Sequence, residues 1–118
     1  MPTLPHLGAA LNALFSIHAD EIARLCEKHG VLKLSAFGSS VREDFDPETS
    51  DVDVIAVFNS TREPGYADRY LDLALSLEQL FGRAVDLLTP GSIRNPHFAS
   101  TLAQEAVSIY ESQDHQAA

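Results

Sequence analysis

Residues 38–58 read GSSVREDFDPETSDVDVIAVF, and the two ends of this stretch decide the fold. Its close, Asp51 to Phe58 (DVDVIAVF), is β-branched and apolar beyond Asp53. It predicts a strand buried on both faces, as a central strand is. Its opening, Gly38-Ser39, follows directly on Val31 to Phe37 (VLKLSAF), a second short β-rich run. Glycine at the exit of a strand lets the backbone approach a ligand closely, and exposed N–H groups at a following helix start favour a phosphate.

Outward from this pair the chain alternates between helix and strand. Leu11, Leu14, Phe15, His18, Ile22, Leu25 and Cys26 fall at helical spacing and make one apolar stripe, with a break expected near Ser16. Lys28 and His29 suit the negative end of that helix, and Gly30 stands where it should stop. Pro64-Gly65 opens a second helix with Tyr70, Leu73, Ala74, Leu77, Leu80 and Phe81 inward and Gly82 at its end. Ala84 to Thr89 (AVDLLT) predicts a third strand, closed by Pro90-Gly91. A last helix is expected from about Phe98 to Tyr110, with Leu102, Ala106 and Ile109 inward. Three strands and about three helices, alternating along the chain, favour an α/β (α+β) layer architecture. Residues 1–111 are expected to form a single domain, and residues 112–118 a polar, frayed tail.

The 118 residues fit one domain with one hydrophobic core. Seventeen acidic against 8 basic side chains give a formal charge of −9. That balance counts against direct nucleic-acid binding, which needs a basic stripe, and against an anionic membrane surface. A single cysteine excludes an internal disulfide and a cysteine-based zinc site. With no apolar run of spanning length and no signal-like N-terminus, a cytoplasmic location is expected.

Three acidic positions call for an explanation. The period of two puts Asp51 and Asp53 on one strand face, with Cα atoms about 6.6 Å apart. Two charges at that distance repel by roughly 2.5 kcal/mol at an effective dielectric near 20. Asp86 interrupts a short apolar strand, where unpaired charge is rare. Each feature has a plainer explanation: Gly38-Ser39 as a simple turn, Asp51 as a solvated strand entry, Asp53 paired with Arg42, and Asp86 facing water from an edge strand. Taken together, adjacent strands would gather three carboxylates that nothing in the protein balances, and a divalent cation would. Hard oxygen donors favour Mg²⁺, which completes its shell with water and phosphates. A phosphate-cradling Gly-Ser beside such a cluster describes metal-assisted phosphoryl or nucleotidyl transfer.

With these residues in place, the stretch resembles the signature of the DNA polymerase beta-like nucleotidyltransferase superfamily: Gly-Ser, a loop, Asp-x-Asp, and a third Asp on a later strand. The compact length, Arg42 after Gly-Ser, and Ser50-Asp51-Val52-Asp53 are similar to the minimal nucleotidyltransferases (MNT), the antitoxins paired with HEPN-domain toxins. The resemblance runs from about Val31 to Tyr110, and Glu105–Glu111 (EAVSIYE) also looks like the end of such proteins. It implies a small mixed sheet flanked by helices, Gly38 and Ser39 on the nucleotide triphosphate, and Asp51, Asp53 and Asp86 as ligands of two Mg²⁺. By its own chemistry Arg42 suits the phosphate oxygens or pairs with Glu43, Asp44 or Asp46, and Ser40 adds a hydroxyl there or caps the following turn. Asp86 would also help to deprotonate the acceptor hydroxyl. The implied activity is transfer of AMP from ATP to a tyrosine of the HEPN RNase toxin, which silences it. Two departures stand out: Glu43 replaces the glycine that often follows the arginine, and the loop 40–50 is about one residue longer than usual.

Size points the same way. Strands and helices use up the chain, so the acceptor's recognition surface is expected to come from a partner protein or a second subunit. A different class of function is a module that masks its partner stoichiometrically, and a third is nucleotidyl transfer to a small molecule. The acidic helix faces (Asp20, Glu21, Asp68, Asp72, Glu78) suit a solvated surface or the steering of a basic partner. The five histidines show no metal-ligand spacing. His18 is expected at the core edge, His97 in a loop, and Cys26 as a buried, inert thiol.

Overall fold

The computed structural model describes residues 15–38, 51–59 and 64–112. Helix α1 (Ala19–His29) leads into strand β1 (Val31–Ala36), and β2 (Val52–Phe58) returns beside it. Helix α2 (Tyr66–Phe81) crosses to β3 (Val85–Leu88). A 3₁₀ turn (Pro90–Ser92), helix α3 (Pro96–Glu105) and strand β4 (Val107–Glu111) complete the described chain. The sheet order is β3-β2-β1-β4. Strand β1 pairs antiparallel with β2 and β4, and β2 pairs parallel with β3, so the sheet is mixed as expected.

The α1 stripe is where the spacing predicts it among the described residues. Phe15, Ile22 and Cys26 are buried, and His18 sits at the core edge with its ring edge-on to Phe81. The break falls at His18 rather than Ser16, and Leu11 and Leu14 lie outside the described residues. Helix α2 buries Leu73, Leu77 and Phe81 against Val52, Val54, Ala56 and Phe58 of β2 and Val85 and Leu87 of β3. Strand β2 alternates buried and half-buried residues along its whole length. One face therefore makes the core with α1 and α2, and the other carries Asp53, Ile55 and Val57. Helix α3 overlies that second face, enclosing a trough of about 290 Å³ with Lys33, Ser35, Ile55 and Val57.

One expectation needs correction. The helix predicted through Tyr110 stops at Glu105, and Val107–Glu111 is a fourth strand. Leu102 is buried as expected, but Ala106 is extended (φ −66°, ψ 139°). Apolar residues at 102, 106 and 109 satisfy a helical period, while Val107, Ile109 and Tyr110 are equally suited to a pleated strand. The second edge of β1 decides: β4 lies along it, with Leu34 opposite Tyr110 and Ala36 opposite Val107. Ser112, assigned to the frayed tail, donates its N–H to the Leu32 carbonyl at 2.8 Å, and residues 113–118 lie outside the described residues.

A polar tie joins α1 to α2. The His29 ring is buried, with Nδ1 2.7 Å from the Leu25 carbonyl oxygen and Nε2 2.5 Å from Asp72 Oδ2. The two ring nitrogens thus each face an oxygen acceptor. The hydrogen bond from His29 holds the Asp72 carboxyl below the ordinary value of 3.8, helped by the nearby charges of His29 and Lys28. A carboxyl depressed in the folded state contributes stability above its unfolded pKa and loses it as pH falls through the folded one. Replacing Asp72 with Asn is therefore expected to lower the melting temperature at pH 7. The difference from wild type should shrink toward zero as the pH drops below 3.8, as thermal melts across an acid series would read.

Candidate active site

The site is built where β1 ends and β2 and β3 begin. The Phe37 N–H donates to the Asp53 carbonyl at 2.9 Å, which fixes the exit of β1 beside the entry of β2. Gly38 follows with φ +62°. A side chain there would place its Cβ 2.8 Å from Asp53 Oδ2. The Asp53 carboxylate thus lies against bare backbone, in space that only glycine leaves open. This joins the Gly-Ser and Asp-x-Asp halves of the motif in space.

Strand pairing supplies the next contact. Asp53 is the register partner of Asp86 across the parallel β2–β3 ladder. Their flanking residues Val52, Val54, Val85 and Leu87 are buried in the core, so both acids belong to the opposite face of the sheet. Asp53 is half-buried, and Asp86 is exposed. Asp51, two residues before Asp53, is exposed just ahead of β2, and the Val52 N–H donates to the Ala84 carbonyl at 3.0 Å. Among the described residues no group of three or more His, Cys, Asp or Glu side chains is gathered closely enough to hold a metal ion. The structure therefore brings Asp53 to Gly38 and aligns it with Asp86 in the ladder, with Asp51 at the strand entry. Ser39, Ser40 and Arg42, and with them Glu43, lie outside the described residues.

The donor chemistry fits a hard divalent cation: carboxylate oxygens on neighbouring strands, one of them against an open backbone. Among the described residues neither sulfur nor imidazole takes part. Cys26 is wholly buried, and burial, with a smaller contribution from Glu27, pushes its thiol up to about 12, so it is inert as expected. His97 is exposed in the first turn of α3, where its backbone N–H donates to Asn95 Oδ1 at 2.8 Å.

One neighbour of the site escaped the sequence reading. Tyr70 is expected only as core packing, yet its hydroxyl donates to the Leu87 carbonyl, one residue beyond Asp86. Burial, then the Asp86 carboxylate, then Tyr66 push the phenol above its usual range, so it stays protonated and donates. The available signal was the residue type itself. A buried tyrosine brings a hydroxyl that needs a partner, where phenylalanine would fill the same space.

Comparisons with known proteins bear on the family and the fold. A family model described as a nucleotidyltransferase domain matches residues 22–109. A protein of Methanocaldococcus jannaschii with the provisional name protein adenylyltransferase is 32% identical over 85 residues, which cover 72% of this chain and 83% of the relative. A solved structure, provisionally called a minimal nucleotidyltransferase, superposes with a TM-score of 0.67 at 28% identity, over 82% of this chain and 93% of the other. The fold is also shared with an MNT antitoxin solved in complex with a tri-AMPylated HEPN toxin of Shewanella oneidensis. There the TM-score is 0.58 at 16% identity, over 87% of this chain and 77% of the other.

Proposed function

Because this chain belongs to the nucleotidyltransferase domain family, we propose that it transfers AMP from ATP to a protein hydroxyl, a tyrosine of a HEPN-domain RNase toxin, and so acts as that toxin's antitoxin. The observation that carries this reading is the contact of Gly38 with Asp53, whose register partner on β3 is Asp86. The provisional name of the archaeal relative and the AMPylated toxin beside a protein of the same fold support the acceptor class.

In this reading Asp51, Asp53 and Asp86 hold two Mg²⁺, and Gly38, Ser39, Ser40 and Arg42 bind the triphosphate. When bound, the metal would neutralise the pyrophosphate leaving group and lower the pKa of the acceptor hydroxyl. The bare backbone at Gly38 lets the phosphates approach Asp53, and the Arg42 guanidinium suits their oxygens. Asp86 takes the acceptor's proton as the acceptor oxygen bonds to the α-phosphorus and the bond to pyrophosphate breaks. The products are an AMP ester on the partner and free pyrophosphate.

Coexpression with the HEPN-domain partner is the direct test. Intact mass of the partner should rise by AMP-sized increments, and substoichiometric protein with ATP and Mg²⁺ should silence the RNase. An unmodified partner that is silenced only at equimolar ratio, without ATP, would establish masking instead. AMP found on a small hydroxyl compound rather than on the partner would establish the third reading.

A further inference from the structure

Strand β3 has four residues, and among the described strands it pairs with β2 alone. It nevertheless carries Asp86 directly opposite Asp53. For both carboxylates to reach one ligand, β3 must stay seated on β2. Two described features hold it there. Val85 and Leu87 are anchored in the core. Tyr70 bridges the strands from α2: its ring packs against Phe58 of β2, with centroids 6.4 Å apart, and its hydroxyl donates to the Leu87 carbonyl of β3.

We propose that Tyr70 is a positioning residue that clamps β3 to β2, holding the Asp86 carboxylate within reach of a cation shared with Asp53. The proposal rests on the reading of Asp53 and Asp86 as metal ligands. It goes beyond that reading by assigning the metal geometry to a residue of helix α2 that is none of the proposed ligands. Tyr70 touches the backbone next to a ligand, much as an outer-shell partner orients a ligand side chain. Loss of such partners typically lowers metal affinity about 10–100-fold.

The test compares Tyr70→Phe with Tyr66→Phe. Tyr66 stands edge-on to the same Phe58 ring, at 5.3 Å, and its hydroxyl makes no hydrogen bond to a described residue. Mn²⁺ binding, read by electron paramagnetic resonance in the presence of a non-hydrolysable ATP analogue, should weaken about tenfold in Tyr70→Phe and stay at the wild-type value in Tyr66→Phe. Amide exchange across Val85–Leu88 should quicken only in Tyr70→Phe. In transfer assays kcat should fall while KM for ATP stays within about twofold, because the phosphate loop is untouched. Wild-type Mn²⁺ affinity in Tyr70→Phe overturns the proposal, even if the melting temperature drops, since that would leave Tyr70 a purely structural role. A wild-type protein that binds no Mn²⁺ overturns the metal-site reading and this proposal together. Normal wild-type binding with an unaffected Tyr70→Phe overturns this proposal alone.

Discussion

Replacing Asp53 with Asn is expected to abolish AMP transfer, by about 10³-fold or more, while the fold persists. Losing an outer-shell partner costs about 10–100-fold, and a direct carboxylate ligand does more than such a partner. Asn keeps the shape of the side chain, so the β2 strand and the Phe37 N–H bond to the Asp53 carbonyl should survive. The net charge lost is one of two facing acids. At a strand spacing of about 4.8 Å they repel by roughly 3 kcal/mol at an effective dielectric of 20, before solvent at the exposed Asp86 reduces it. The variant should therefore remain folded. The distinguishing measurement is the response to ligand. Wild type should melt at a higher temperature with Mg²⁺ and ATP, since a ligand at 100 times its Kd stabilises by about 2.7 kcal/mol. Asp53→Asn should show little of that rise. Equal AMP labelling by wild type and Asp53→Asn would show that the transfer chemistry lies elsewhere.

The second large effect is expected at Gly38. Alanine there meets two separate penalties. The left-handed backbone (φ +62°) costs roughly 1–2 kcal/mol for a residue with a Cβ. The added atom would also stand 2.8 Å from Asp53 Oδ2, closer than real Cβ contacts come. The carboxylate must move to relieve it. A misplacement of about 1 Å near a reacting centre can cost about 10²-fold in rate. Gly82→Ala separates the two penalties. Gly82 has φ +68°, with nothing within 4 Å of the new Cβ. Both variants should lose similar stability in thermal melts, but only Gly38→Ala should lose AMP transfer, by about 10²-fold. Full activity in Gly38→Ala would break the link between the glycine and the aspartate.

Much of this arrangement was legible in the chain because the deciding signals are local. Asp-Val-Asp ahead of an apolar run states its own strand, and alternation then fixes the face on which Asp53 stands. The helix ends at Gly30 and Gly82, and the inward residues Leu73, Leu77 and Phe81, follow from spacing alone. The fourth strand was hidden because Leu102, Ala106 and Ile109 fit a helix as well as Val107, Ile109 and Tyr110 fit a strand. What settles it is the second edge of β1, far away in sequence. At the site, the sequence names Gly38, Asp53 and Asp86 but is silent on their registration. Which residue of β3 stands opposite Asp53 depends on how α2 docks. The hydroxyl of Tyr70 was missed for a related reason. A helical stripe predicts burial of the ring and says nothing of which carbonyl its polar tip will reach.

The borders of the sheet have a consequence for self-association. A strand border with free carbonyls and amides is a template on which a second molecule can lay its own strand, and repeated addition leads to fibrils. Here one border is four residues long and has a backbone carbonyl already engaged by a phenol. The other border is laid down by β4, whose pairing slips at Leu34/Ser35 and which ends in Glu111. Among the described strands, short length, an occupied acceptor, a register slip and a terminal charge each disfavour chain-on-chain growth, and the chain's formal charge of −9 adds repulsion between copies.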